Sequence, residues 1–337
     1  MKRKRKKKRS SLGLVLLVLI SASALGAFTS KINQFRNRTD KYNNDKSIVV
    51  TDKKDDAKND AILVKEPEKA PVKPKVEEKK PVDKKPEEKK DTSQDTKTTT
   101  GTANLGTKER DWFYIIKKDG TPSGIPDDVA QIIKKHGGYY LGNTEEKVIY
   151  LTFDQGYENG YTGKILDTLK ENDVKATFFL VKPYITSNKD LVKRMVDEGH
   201  IAANHSDTHP SMAQKALKGK EAFEAEFTAT EKAFEDLTGK KMAKFFRPPM
   251  GKYSELSLEY TKELGYKSIF WSFAYNDWDV NKQPTHEYAK KVLLERAHSG
   301  GIYLLHSVSK TNAEILDWFI KDAKSKGYRF ASLEELS

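Results

Sequence analysis

The chain contains no cysteine. Disulfides and thiolate zinc sites are thereby excluded, while either redox compartment stays open. Histidine is scarce, with seven in 337 residues, so two that fall close together carry weight. Long apolar runs are also scarce. The notable one, Leu12 to Phe28, covers 17 residues. No internal repeat is visible. Positive charge is plentiful only at one end: the net charge is +12, and MKRKRKKKR supplies eight of those positives. The remaining residues carry +4, which removes most of the case for nucleic acid as a partner.

What is there falls into segments. A basic stretch followed at once by an apolar run reads as an export signal peptide or a signal-anchor helix, residues 1–28. As a helix the run would span about 25 Å, just short of a roughly 30 Å hydrocarbon core. Its second half, SASALGA, offers a cleavage region near Ala24–Ala27, although no A-x-A placement is clean. With either outcome the positive end stays inside and the rest is exported, anchored at the cell membrane or released to the wall. Residues 29–106 read as a disordered linker. From Asp52 to Thr100 the sequence is mostly Lys, Glu, Asp, Pro, Thr and Ser. Such a segment cannot bury enough apolar surface to offset its ordering entropy. A spacer is most useful when the N-terminus stays in the membrane, which favours an anchor over a cleaved signal. Aromatic residues return at Trp112, Phe113 and Tyr114. Residues 107–146, with the turn TPSGIPDD, read as an N-terminal cap on a main domain at 147–337.

From Lys147 onward, apolar runs alternate with helical patterns. Strands are predicted at 148–153, 176–181, 200–204, 243–246, 267–272, 301–306 and 328–331. Helices are predicted at about 160–171, 188–198, 219–238, 254–264, 285–298 and 311–326. Gly199, Gly239, Gly265 and Gly327 each stand where a helix should end. Asp154, His205 and His306 fall at or just past the carboxyl ends of strands, and Arg247 follows Phe245–Phe246. Catalytic groups of parallel barrels gather at that face. The pattern predicts an α/β fold, an incomplete (β/α) barrel of about seven parallel strands rather than an open doubly wound sheet.

The polar residues suit hydrolysis. A carboxylate at the end of a buried strand is costly unless it has a partner or a task. Asp154, in TFDQGYENG, is the candidate base, with a helix-capping acid as the plain alternative. His205 and His209, in NHSDTHP, lie beside a proline, so a loop is expected; two imidazoles there can converge on a zinc-like divalent ion, or can be ordinary surface histidines. A bound metal lowers the pKa of water toward neutrality, and a carboxylate can then take its proton. Arg247, in FRPPMGKYS, can hold Asp154 ionised by a bidentate pair, or the segment is simply a rigid turn. His306 can protonate a leaving group, with Asp277 of YNDW raising its pKa; each also has a plain structural reading.

The five patches, in this order, resemble the polysaccharide deacetylases of carbohydrate esterase family 4 over about residues 145–331. The resemblance implies a distorted (β/α) barrel. It implies Asp154 as base, His205 and His209 as metal ligands, Arg247 orienting Asp154, Asp277 tuning His306, and His306 as acid. Leu304 would line the pocket for the acetyl methyl, the backbone N–H of Met250 would help hold the oxyanion, and Trp278 would contact substrate. Gln155 stands where the family usually has a metal-binding Asp. A neutral amide there implies a weakened site for a divalent metal, with zinc the first choice and cobalt or manganese alternatives. The contexts TFDQGYENGYT, RPPMGKYSE and LLHSVS resemble the delta-lactam-biosynthetic de-N-acetylases of spore-forming bacteria, with Gln where Asn is usual. That implies muramic acid in spore-cortex peptidoglycan, stripped of its stem peptide, as substrate; the expected partners are glycan strands and, through the N-terminal segment, the membrane, with a monomer as the working unit. Two alternatives stand beside it: an N-acetylglucosamine deacetylase of peptidoglycan or chitin-like glycan, and a non-catalytic cell-wall binding module.

Overall fold

Every residue from Val148 to Gln155 is buried, and alternation sorts the apolar ones. Ile149, Leu151 and Phe153 join one hydrophobic cluster, while Val148 and Tyr150 join another. Gly301–His306 behaves alike: Tyr303 and Leu305 go to the first cluster, Ile302 and Leu304 to the second. Successive side chains of a strand point to opposite faces, so this sheet has apolar cover on both. That is the signature of parallel strands flanked by helices, and it explains the unbroken apolar runs in the sequence.

The computed structural model describes residues 105–336, together with the backbone of Ala61 and Ile62, which pairs antiparallel with Tyr114–Ile115. The expected signal or anchor at 1–28, and the linker at 29–106 apart from Ala61–Ile62 and its last two residues, lie outside the described residues. Among the described residues, no helix is long and apolar enough to cross a membrane.

The main sheet is numbered along the chain as β1 Gly138–Tyr139, β2 Val148–Gln155, β3 Thr177–Leu180, β4 Ile201–Asn204, β5 Ala243–Phe246, β6 Lys267–Ile269, β7 Gly301–His306 and β8 Arg329–Ala331. Its order is β7-β2-β3-β4-β5-β6-β1, all parallel, with β8 also on β2. β7 runs along one edge of β2, while β3 and β8 share the other: β3 faces residues 152–155 and β8 faces 148–150. The two ends of the sheet approach each other. Leu304 N donates to Phe273 O at 2.9 Å, and Gly142 N donates to Gly300 O at 2.8 Å. The result is the distorted, incomplete barrel that was expected. All seven predicted strands are present. The eighth, β1, comes from the segment expected to cap the domain.

The helices are α1 Asp127–Lys135, α2 Thr162–Glu171, α3 Lys182–Ser187, α4 Lys189–Asp197, α5 Met212–Ala216, α6 Lys220–Thr238, α7 Glu255–Glu263, α8 His286–Glu295 and α9 Lys310–Ser325. Six match the predicted helices. The other three, α1, α3 and α5, are short or lie in the cap. The four predicted stop glycines all take positive φ, between 68° and 86°. At Gly239 this lets the chain leave α6 in the left-handed region, where its N–H reaches Glu235 O. α7 begins with a reciprocal cap in which Ser254 and Ser257 each bond the other's backbone N–H.

Candidate active site

Alternation brings four polar residues to one face. Asp154 shares parity with Val148 and Tyr150, His306 with Ile302 and Leu304, His205 with Ala203, and Arg247 with Phe245. All of those apolar neighbours belong to the second cluster, inside the curl of the sheet. Asp154 and His306 are direct register partners on β2 and β7. Because every strand of the sheet is parallel, these residues also share its carboxyl end.

Asp154 and Arg247 form a buried ion pair, with Nη1 donating to Oδ1 at 2.7 Å. Arg247 is fixed from other sides as well. Its Nε donates to Ile269 O at 3.2 Å, and its guanidinium lies 4.2 Å from the centre of the Phe179 ring. A planar, rigid fork of this kind holds a carboxylate in one orientation. The second oxygen, Asp154 Oδ2, accepts no hydrogen bond and stands 3.6 Å from His205 Nε2. His205 Nδ1 lies 2.8 Å from Arg247 O. A carbonyl only accepts, so Nδ1 carries a proton. The His209 ring lies edge-on to His205, with centroids 4.9 Å apart. His209 itself sits at a left-handed φ of 56° in the loop after β4.

Across the site, His306 Nδ1 lies 2.7 Å from Asp277 Oδ1. Its backbone N–H donates to Asp277 Oδ2 at 2.8 Å. The carboxylate thereby fixes which nitrogen holds the proton and turns Nε2 outward. A cavity of about 240 Å³ separates the two halves. Asp154, His205, His209 and His306 line it, with Gly156, Tyr157 and Trp278–Asn281 at its rim.

Residues 141–269 match the family model described as polysaccharide deacetylase. The chain is 43% identical over 225 residues to the peptidoglycan-N-acetylmuramic acid deacetylase PdaA of Bacillus subtilis, covering 67% of this chain and 84% of the relative. The chain belongs to the polysaccharide deacetylase family. It is a hydrolase acting on N-acetyl groups. The solved structure of Bacillus subtilis PdaA, a family 4 carbohydrate esterase, superposes with a TM-score of 0.66 at 42% identity, covering 68% of this chain and 97% of that one. The peptidoglycan-N-acetylglucosamine deacetylase PgdA of Listeria monocytogenes is 36% identical over 190 residues, covering 56% of this chain and 39% of that protein.

Deacetylases of this family are generally metal-dependent. The residues present offer a divalent ion two imidazole nitrogens, with His205 held in the correct tautomer by Arg247 O, an arrangement common among metal-ligating histidines. Among the described residues, no group of three or more His, Cys, Asp or Glu is placed to hold a metal. Gln155, expected to join the pair, is buried at the end of β2, and its Oε1 accepts no hydrogen bond. Strand alternation gives Gln155 the outer face, that of Leu151 and Phe153, and its amide donates to Thr162 Oγ1 of α2 at 3.5 Å. His205 and His209 are the residues that would hold such an ion.

Two further expected residues are buried beside His306 and Arg247 in the chain. Leu304 is buried in the inner cluster one pleat below His306, and Met250 is buried in the turn after Arg247 with φ 59°. That turn is tightly packed. A Cβ on Gly251 would come within 2.9 Å of Trp112 and of Trp271. Trp278, expected to contact substrate, lines the cavity.

Residues that sequence reasoning passed over also shape the site. Tyr157 lines the cavity with 45% of its surface exposed. The next residue, Glu158, accepts from Gly160 N, from Thr162 N and Oγ1, and from Tyr184 Oη. Burial would raise its pKa, but these donors outweigh that and hold it below the usual carboxylate value. Asn159 Nδ2 donates to Val308 O at 2.9 Å and ties this loop to the one after β7. The run GYENGYT held the signal, since a polar, glycine-bracketed loop after a catalytic strand end is a natural rim.

Proposed function

We propose that this protein removes N-acetyl groups from peptidoglycan, with muramic acid as the sugar acted on and delta-lactam formation in spore cortex as the use of the product. The observation that carries the reading is the convergence of Asp154–Arg247, His205–His209 and Asp277–His306 around one cavity. The muramic relative, similar over 84% of its length, supports the choice of sugar.

His205 and His209 would hold the divalent ion, zinc first among the candidates. Once bound, it would polarise the acetyl carbonyl and lower the pKa of water. Asp154, oriented by Arg247, accepts a proton from the attacking water as the new C–O bond forms. His306, with Asp277 at Nδ1, presents Nε2 to the sugar nitrogen and donates a proton as the C–N bond breaks. Water and amide become acetate and free amine. Trp278 forms one wall for the sugar. The backbone N–H of Met250 steadies the oxyanion and Leu304 lies beneath the acetyl methyl, both roles suggested by the resemblance. We also infer that the chain works as an exported monomer on glycan strands, held at the membrane by residues 1–28 with 29–106 as spacer.

Incubation of the protein with peptide-stripped cortex glycan and Zn²⁺, followed by mass spectrometry, tests this. Acetate release with de-N-acetylated muramic acid is the expected result. Absence of any mass change with folded protein would remove the reading. A second reading, N-acetylglucosamine as the target, is favoured by the Listeria relative. Faster release from N-acetylglucosamine oligomers than from muramic acid would select it.

A further inference from the structure

We propose that Asn312 is a positioning residue for the Asp277–His306 pair, with Tyr275 behind it. The inference rests on the deacetylase reading above for the role of His306. Asn312 lies in the first turn of α9, 35 residues along the chain from Asp277. Its Nδ2 donates to Asp277 Oδ2 at 2.5 Å and to His306 O at 3.2 Å. Its Oδ1 accepts from Tyr275 Oη. The orientation of the amide is not arbitrary. A carboxylate only accepts, so nitrogen must face Asp277 and oxygen must face the tyrosine. Both Nδ2 donors and Oδ1 are thereby used.

The consequence falls on Asp277. Oδ1 meets His306 Nδ1, while Oδ2 takes His306 N–H and Asn312 Nδ2. With Asn312 in place the carboxylate is held from both sides and cannot rotate away from the imidazole. Ser309 caps the same helix end by accepting from Asn312 N at 3.1 Å, so the amide rises from a fixed turn. Tyr275, Asp277 and Asn312 are buried, where a fully satisfied polar network is rigid and a broken one is costly. Removing the Asn312 donor concentrates the charge of Asp277 on His306. The imidazolium is then favoured, and its titration moves upward. The other ionisable groups on the cavity wall are Asp154, Tyr157, His205, His209 and Asp279. They are the same in wild type and variant.

The test compares Asn312→Ala and the near-isosteric Tyr275→Phe with wild type, reading the His306 titration by NMR and the pH profile of kcat on peptidoglycan. Asn312→Ala should raise the His306 midpoint by about half a pH unit or more. It should lower kcat about tenfold, with KM nearly unchanged. Tyr275→Phe should move both in the same direction by less. A lowered Tm with the His306 midpoint unmoved in both variants would overturn the proposal and leave Asn312 a packing residue. Wild type that releases no acetate would sink the deacetylase reading instead, and the NMR titration would still decide the coupling.

Discussion

The two faces of the sheet carry similar residue types to different ends. At the end of β2, Asp154 turns inward to Arg247 and the cavity, while Gln155 turns outward to Thr162. β4 is bracketed by two histidines. His205, in phase with Ala203, faces inward beside Asp154; His200, in phase with Ala202, faces outward against the Phe178 ring. One residue of register separates a side chain that lines the cavity from one packed outward. Parity along the strand therefore sorts which polar side chains line the cavity.

The sharpest way to break this comparison is on the inner face. Asp154→Asn keeps the shape and removes the base. It should lower kcat about 10³-fold with the fold retained, as measured by acetate release and circular dichroism. Activity within tenfold of wild type would mean that the inner carboxylate does not take the proton.

Next in size is the ion pair. Arg247→Met leaves Asp154 buried and unpaired, which should cost about 3–5 kcal/mol in urea denaturation. The double variant Arg247→Met/Asp154→Asn should recover much of that loss, because the uncompensated charge is gone. A loss that is no smaller in the double variant would place the cost in Arg247's packing on Phe179 rather than in the charge.

These inner residues were legible in the sequence because each interrupts or ends an apolar run. Asp154 follows VIYLTF and His306 follows GIYLL, and a polar residue there needs a reason. Fold class followed from the same runs. The remainder was hidden for physical reasons. Gly138–Tyr139 is a two-residue strand, and α3 and α5 have six and five residues, too few for any period to declare itself. Gln155 sits at the last position of β2, where the motif suggests a ligand and only the contact with Thr162 reveals its face. Leu304 was named through the family resemblance, and alternation puts it on the face of His306, one pleat deeper. Asn312 reads as an ordinary first-turn residue until α9 folds against the loop holding Asp277.

On the outer face, His200 should appear in stability and not in catalysis. Burial pushes its imidazole down to about 4. Its Nδ1 accepts from Ala176 N at 3.2 Å, which also requires the neutral form. The folded pKa lies below the unfolded value of about 6.5, so the unfolded chain binds the extra proton between the two. This contribution is complete above about pH 6.5 and is lost as pH falls toward 4, on the order of 2–3 kcal/mol in all. Urea midpoints at pH 7, 5.5 and 4.5 should show the decline, and His200→Gln should flatten it while leaving kcat near wild type. An equal decline in the variant would assign the pH effect elsewhere.

The smallest effect sharpens the comparison most. If residue 155 faced the ion, Gln155→Asp would restore the family's usual carboxylate and tighten metal binding. The outward orientation predicts otherwise. An added carboxylate would enter a buried space beside Thr162, whose hydroxyl is already hydrogen-bonded to Glu158. Like charges this near disfavour each other, so the introduced carboxyl would titrate high or weaken the fold. Calorimetry with Zn²⁺ should show affinity within about twofold of wild type, with a stability loss of about 1–2 kcal/mol. Tenfold tighter binding would place residue 155 on the inner face after all. It would also mean that strand alternation fails at the last residue of β2, where the chain begins to turn into the GYENGYT rim.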